Sequence, residues 1–238
     1  MTMDINTDYS VISPYPIMIM LSFAAGLTVS YLLDRRGGVS ETVCRYLMLL
    51  SPMMSVFCGF GLNYITSGGR RFGLSSLGGL LGMYAAVVTL SLINGRRDDT
   101  ITMFGSCTLA LPLMYSVSKI GCTLSGCCRG FEYEGALGIH YSGRLSGEAD
   151  VFPVQPLESL IFLGIFISGL LLYLRGRKAA APVYFTGAAA KFALDFLRQS
   201  HAGKILSLTQ VLVALLIERN LVVSFGRTHP DCESCGIL

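Results

Sequence analysis

Residues 119–130 hold the side chains of this sequence that are best suited to chemistry. The segment reads Lys-Ile-Gly-Cys-Thr-Leu-Ser-Gly-Cys-Cys-Arg-Gly and directly follows a long apolar stretch. Thiolates act as nucleophiles or soft ligands, and the two cations can hold an anion. Because cations and thiols are costly in hydrocarbon, their concentration at the end of an apolar segment indicates a functional site. The candidate residues are Lys119, Gly121, Cys122, Ser125, Gly126, Cys127, Cys128, Arg129 and Gly130.

A second group of charges lies near the carboxyl end of the chain. Lys191, Asp195 and Arg198 recur at positions i, i+4 and i+7, which places them on one face of a helix. One interpretation is an ion-pair ladder that only packs two helices. The three charges sum to +1, however, and ionisable residues within a membrane usually line a polar cavity. The pattern therefore favours a site for an anionic ligand.

Two further motifs begin apolar segments. Gly78 and Gly79 permit close backbone approach, and a helix amino terminus beside them can bind an anion, although small residues also serve membrane helix packing. Gln155 and Glu158 follow Pro153 at the beginning of another segment. A helix-capping role and a site role are equally consistent with that position.

Composition identifies the elements that must position these residues. The chain has 238 residues, of which 52% are hydrophobic and 14% charged, whereas soluble domains carry about 25% charged residues. Its apolar runs reach the roughly 20 residues that cross a bilayer. We therefore predict one all-α, polytopic membrane domain over residues 1–238. The seven expected spans are at about 14–33, 43–65, 77–94, 100–118, 156–174, 182–199 and 205–223.

The basic residues predict an orientation. With the amino terminus outside, ten of the eighteen Lys and Arg residues lie on the cytoplasmic side and seven outside, with Lys191 inside a span. The longest connection, residues 119–155, is then a small extracytoplasmic head between spans four and five. It contains His140 within a predicted strand, Ile139–Tyr141, and residues 224–238 form a cytoplasmic tail. Scattered cations give no nucleic-acid-binding surface.

The thiols leave several chemistries open. Cys122, Cys127 and Cys128 are candidates for a soft metal site, a disulfide or a covalent intermediate. Because Cys127 and Cys128 are adjacent, they are poorly spaced for two ligands of one tetrahedron, and we predict neither a metal site nor a cofactor. The Cys-x-x-Cys pair in the tail, Cys232 and Cys235, is interpreted as part of a poorly ordered reduced segment.

With these motifs in order, the chain from about Tyr15 to the seventh predicted span resembles the prolipoprotein diacylglyceryl transferase family. The matching segments are Ser75–Gly82, Ser118–Gly130, Pro153–Glu158 and Lys191–Arg198. The chain departs from the family pattern at five positions. Leu77 replaces a His, Lys119 and Lys191 replace Arg, Cys122 replaces Asn, and Asp195 replaces Glu.

The resemblance implies a bacterial inner-membrane enzyme that moves a diacylglyceryl group from phosphatidylglycerol to the cysteine thiol of a lipoprotein precursor. Its partners would be phospholipid, the precursor's signal peptide and the surrounding membrane lipids, with no cofactor. The implied catalytic residues are Lys119, Cys122, Glu158, Lys191, Asp195 and Arg198. The implied substrate contacts are Tyr15, Gly78, Gly79, Gly121, Ser125, Gly126, Cys127, Cys128, Arg129, Gly130, His140 and Gln155.

Two rival interpretations accompany this one. The first gives the three thiols a redox, metal or covalent role. The second is a non-catalytic lipid or peptide binder, supported by Leu77 at the position of the family's His. Without that His, the base for the acceptor thiol is left open among Glu132, Glu134, His140 and a thiolate. A strongly positive pocket could also lower the pKa of the acceptor thiol directly.

Overall fold

The computed structural model describes residues 3–9, 13–69, 73–142 and 149–198. The helices within these ranges are α1 (Pro14–Arg36), α2 (Glu41–Thr66), α3 (Ser76–Asn94), α4 (Arg97–Ser125), α5 (Val154–Leu174) and α6 (Ala180–Asp195). Two short strands accompany them, β1 (Met3–Asn6) and β2 (Ile139–Ser142). The all-α prediction is confirmed in this predominantly helical chain.

Helices α1 to α5 are each long and apolar enough to cross a membrane. Large apolar side chains on their outer faces remain exposed, including Phe57 and Leu92, as expected of a lipid-facing surface. The chain is therefore a membrane protein. The number of seven spans remains a prediction, because α6 is shorter and the seventh predicted span, 205–223, lies outside the described residues, as does the predicted tail, 224–238.

Local sequence explains where these helices begin and end. The hydroxyls of Ser13, Ser40 and Ser75 accept backbone N–H bonds at the amino ends of α1, α2 and α3, which satisfies donors that have no partner within the helix. Gly95 and Gly126 follow α3 and α4 with φ of +67° and +63°. This left-handed conformation ends a helix and is open to glycine without steric cost.

Helices α2 and α3 are in direct backbone contact through two glycines. A Cβ on Gly82 would lie 2.6 Å from the Cα of Ser55, and one on Gly78 would lie 2.7 Å from the Cα of Gly59. Small residues allow such approach between membrane helices. Gly78, which the sequence suggested as a substrate contact, therefore packs against α2.

Two predicted span boundaries were wrong. The fourth span was expected to end at residue 118, but α4 continues to Ser125, so Lys119 and Cys122 lie within the helix. Lys119 and Cys122 do not end α4, because the backbone hydrogen bonds of the helix continue past them. The hydroxyl of Thr123 also donates to the carbonyl of Lys119. The sixth span was expected to reach residue 199, but α6 ends at Asp195.

The connection between α4 and α5 carries a small parallel β-pair. Met3 to Asn6 of β1 pair with Ile139 to Ser142 of β2, which confirms the strand predicted at 139–141. The participation of the amino-terminal strand was not predicted. Val151 forms an isolated antiparallel bridge with Ile139 of β2. The extracytoplasmic position of this connection remains a prediction.

Candidate active site

The carboxylate of Glu158 is the centre of a buried ionic cluster. Glu158 lies in the first turns of α5 and is 0% exposed. Its Oε2 lies 2.8 Å from Lys119 Nζ on α4. Its Oε1 pairs closely with the guanidinium of Arg198 and lies 3.9 Å from Lys191 Nζ on α6. One carboxylate thus holds together three cations from separate parts of the chain.

Asp195 supplies the second carboxylate of the cluster. Its Oδ1 pairs closely with Lys191 and lies 3.5 Å from a guanidinium nitrogen of Arg198. The sequence placed all three charges on one helical face, and this detail was wrong, because Arg198 follows the end of α6. Arg198 forms an antiparallel bridge with Gly130. The tight turn after Asp195, with Arg198 N donating to Asp195 O over 3.3 Å, still returns the guanidinium to the cluster.

Tyr115 is a member of the cluster that sequence reasoning missed. Its hydroxyl donates to Glu158 Oε1 and accepts from Arg198, both over 3.2 Å. The ammonium groups of Lys119 and Lys191 lie 4.9 Å and 5.7 Å from its ring centre, within cation–π range. Tyr115 precedes Lys119 by one helical turn, and this spacing was the available signal.

The charges within the described cluster do not cancel. Lys119, Lys191 and Arg198 carry three positive charges against two on Glu158 and Asp195, which leaves +1. Lys119 and Arg198 are 5% and 7% exposed, and an excess charge in such an environment is costly unless it is paired. The Nε of Arg198 has no hydrogen-bond partner among the described residues. The cluster is therefore suited to an anion.

A cavity of about 280 Å³ opens beside the cluster. Lys191, Asp195 and Tyr115 form part of its wall, and the rest is chiefly apolar. Tyr15, Leu77 and Gly79, from the amino ends of α1 and α3, also line it. Consecutive spans alternate in direction, which brings these helix ends to the same side as the carboxyl end of α4. An apolar chamber with a positive end suits an anionic amphiphile.

The three thiols converge at the end of α4. The sulfur atoms of Cys122, Cys127 and Cys128 all lie within 4.8 Å of one another. Cys122 is buried and Cys128 is exposed, so the group opens on one side. Hydrogen bonds from Cys122 and Cys127 lower the pKa of Cys128 far below its usual range, and the same network raises that of Cys127. Cys128 adopts φ of +56°, and the sulfurs of the adjacent Cys127 and Cys128 both belong to this group.

Gln155 supports the thiol segment from α5. Its Nε2 donates to the carbonyl of Cys127 over 2.8 Å and to the Tyr141 hydroxyl over 3.3 Å. The Tyr141 hydroxyl in turn donates to the carbonyl of Thr123 over 3.1 Å. Burial raises the pKa of Tyr141 to about 12. The Arg129 guanidinium lies 5.0 Å from the Tyr141 ring centre, so these residues hold the turn after α4.

The remaining predicted residues have structural surroundings of their own. A Cβ on Gly121 would lie 2.7 Å from that of Met18, so Gly121 packs α4 against α1. The Ser125 hydroxyl lies 3.3 Å from that of Ser13, and Gly126 caps α4. His140 Nδ1 lies 3.0 Å from Asp150 in the strand region, and His140 is not part of the ionic cluster.

Comparison with known proteins gives one family. A family model described as prolipoprotein diacylglyceryl transferase matches residues 5–223. The match includes every described residue of the ionic cluster, the cavity wall and the thiol group. No curated protein matches the chain.

Proposed function

Because the chain belongs to the prolipoprotein diacylglyceryl transferase family, we propose that it is a phospholipid-dependent transferase of the bacterial inner membrane. It moves a diacylglyceryl group from phosphatidylglycerol to the cysteine thiol of a lipoprotein precursor and releases glycerol phosphate. The observation that carries this proposal is the convergence of Lys119, Lys191 and Arg198 on buried Glu158, beside an apolar cavity.

The cavity and the cluster divide the binding of the lipid between them. The apolar walls accept the hydrocarbon near the glyceryl group, and the net positive end accepts the phosphate. Arg198 offers a planar guanidinium fork that matches phosphate oxygens, whereas Lys119 and Lys191 act as point charges. Because negative charge grows on the phosphate as it leaves, these cations stabilise the transition state more than the bound lipid.

Glu158 acts in this scheme as a positioning residue. Three cations held within one small buried volume would repel one another without a counter-charge. Its two carboxylate oxygens separate Lys119 from Arg198 and Lys191 and fix their directions. Tyr115 adds a hydrogen bond to both Glu158 and Arg198. Such pre-formed geometry reduces the reorganisation needed during reaction.

The proposed orientation places this site on the outer side of the membrane, with the amino terminus outside and the carboxyl terminus in the cytoplasm. The basic residues support this orientation through their modest excess on the cytoplasmic side. It gives the site access to lipids of the outer leaflet and to precursors that have crossed the membrane.

A transfer assay tests the proposal. Purified protein is mixed with phosphatidylglycerol labelled in its terminal glycerol phosphate and with a signal peptide that carries the acceptor cysteine. Labelled glycerol phosphate should be released, and Arg198→Ala or Lys119→Ala should reduce the rate at least 100-fold. Arg175→Ala, at an exposed position after α5, is the matched control and should keep the wild-type rate. Release that is unchanged by the cluster substitutions would overturn the proposal.

A second candidate is a phospholipid binder without turnover. It is favoured by Leu77, which lines the cavity at the position where the resemblance implies a His. This candidate expects phosphatidylglycerol to co-purify with the protein and to be lost in the Arg198→Ala variant. It also expects no glycerol phosphate release with any cysteine-bearing peptide, which separates it from the transferase.

A further inference from the structure

The thiol group has the composition and spacing of a metal site. Cys122 lies in the last turn of α4, and Cys127 and Cys128 follow in the turn after it. Their sulfurs lie within 4.8 Å of one another, and no His, Asp or Glu of the described residues joins them. Thiolates bound to one tetrahedral zinc lie about 3.8 Å apart, given Zn–S bonds of about 2.3 Å. Small side-chain rotations would reach that spacing.

The backbone around the thiols is held in an uncommon shape. Gly126 and Cys128 both adopt left-handed φ values, of +63° and +56°. For a non-glycine residue this conformation costs on the order of 1 kcal/mol, and such strain persists only where the surroundings impose it. The Gln155 amide holds the peptide that joins Cys127 to Cys128, because it donates to the carbonyl of Cys127. Two adjacent cysteines thereby direct their sulfurs toward the same point.

Charge distinguishes between the metals that thiolates prefer. Three thiolates with a divalent ion carry −1, a smaller buried charge than the −2 that they would carry with a cuprous ion. The +1 of the ionic cluster is left for the lipid phosphate. The two groups are neighbours, because Lys119 precedes Cys122 by one turn on α4, and Gly130, two residues after Cys128, is bridged to Arg198.

We propose that Cys122, Cys127 and Cys128 bind one zinc ion, and that the fourth coordination position of the zinc takes the thiol of the acceptor cysteine. This inference rests on the proposed function, since the acceptor is a substrate of that reaction. Three protein ligands with one open position is the arrangement of catalytic zinc. A thiol that coordinates such an ion is deprotonated. The zinc thus activates the acceptor in a chain that has Leu77 where a His would stand.

The step balances without an oxidant or a reductant. The acceptor thiol loses its proton to water when it binds zinc. Its sulfur then forms a bond to the terminal glyceryl carbon of the lipid, and the bond from that carbon to the phosphate oxygen breaks. The electron pair leaves with the glycerol phosphate, whose negative charge the cations of the ionic cluster stabilise. The exposed side of the group, at Cys128, admits the acceptor.

Metal analysis of the full chain tests the site. The background variant is Cys232→Ser/Cys235→Ser, because the tail pair can also bind metal. Protein purified in detergent with reductant should hold one zinc per chain by mass spectrometry. Cys122→Ser, Cys127→Ser and Cys128→Ser should each lower zinc affinity at least 10-fold. Cys58→Ser, which alters a half-buried thiol of α2 outside the group, should leave it unchanged.

Cobalt substitution tests the open position. The cobalt-loaded protein should show sulfur-to-metal absorption that rises by about a third, as three thiolates become four, when the cysteine-bearing peptide is added. A peptide with serine at that position should have no effect. Three results would each overturn the proposal. They are a protein without zinc, zinc content that none of the three substitutions lowers, and cobalt absorption that does not change when the peptide is added.

These readouts need no turnover, so they separate this inference from the proposed function. Glycerol phosphate release that continues at full rate after zinc removal would overturn the role of zinc and leave the transferase intact. Zinc and thiol binding without any release would overturn the transferase reaction and support the metal site.

Discussion

Arg198 lies three residues beyond the end of α6, yet its guanidinium pairs with the fully buried carboxylate of Glu158 at the beginning of α5. This contact joins the ends of two helices through the cluster, and it orients the one guanidinium that the described cluster contains. Lys119 and Lys191, the other two cations, each carry an ammonium point charge and no planar guanidinium.

Replacing Arg198 with Lys tests whether the fork matters beyond its charge. Arg198→Lys keeps the net charge of +1 but removes paired N–H donors directed at a phosphate. We expect kcat to fall roughly 10- to 100-fold while KM for phosphatidylglycerol changes little, because the fork acts most strongly on the leaving phosphate. The measurement is steady-state release of labelled glycerol phosphate. A rise in KM at constant kcat would show that Arg198 only binds the lipid.

Replacing Glu158 with Gln tests the counter-charge. Removing one partner of a buried ionic group costs roughly 3–5 kcal/mol, because the other charges remain buried without compensation. Glu158→Gln should therefore lower the unfolding temperature in detergent, followed by circular dichroism, and abolish transfer. Glu41→Gln is the matched control, since its partner Arg45 is exposed on the surface of α2 and such pairs contribute about 1 kcal/mol or less. Equal effects of the two substitutions would contradict the central role of Glu158.

Replacing Gly82 with Ala tests the close contact of α2 and α3. The added methyl group would overlap the backbone of Met54 and Ser55, and such overpacking typically costs about 1–3 kcal/mol. Gly105→Ala is the control, because a Cβ there meets nothing within 4 Å and alanine favours a helix. Thermal unfolding should show a loss for the first variant and no loss for the second. Unchanged stability of Gly82→Ala would mean that the helices separate without cost.

Alkaline titration tests the burial of Tyr141. The phenol ionises near pH 10 in an unfolded chain, whereas burial raises its pKa to about 12 in the folded protein. The stability that Tyr141 contributes is complete below pH 10 and is lost as the pH rises toward 12, because only the unfolded chain releases the proton in that window. Tyr141→Phe should show a shallower loss of stability between pH 10 and 12 when denaturant unfolding is measured. Parallel curves would contradict the buried, hydrogen-bonded phenol.

The sequence predicted the helices well and their ends less well. Apolar length predicted closely where α1, α2 and α3 begin, and the structure shows that serine side chains cap these helices. The charge of Lys119 suggested that α4 ends near this residue. The helix continues to Ser125, because the Lys119 ammonium pairs with the buried carboxylate of Glu158 and does not need to reach solvent. Spacing along the chain also predicted that Arg198 lies on the same helix as Lys191 and Asp195. In the structure Arg198 follows the end of α6, and the turn after Asp195 brings its guanidinium to the ionic cluster.

The sequence could not predict which residues of the candidate site contact one another. Periodicity relates residues of one helix, as for Lys191 and Asp195, but it says nothing about which residue of α5 faces α4. The pairing of Lys119 with Glu158 depends on the packing of two helices that are separated by a long connection. The role of Tyr115 depends on the same packing, and so does the convergence of the thiols, which required a left-handed residue at Cys128.

The pairing of β1 with β2 has a consequence for biogenesis. Met3 pairs with Ile139 in this parallel pair, so β1 cannot find its partner strand until the four helices between them, α1 to α4, have been translated. The thiol-bearing turn precedes β2 along the chain, and α5, which carries Glu158, follows it. Completion of the candidate site is therefore a late event, because β1 can pair with β2 only after α1 to α4 have been synthesised.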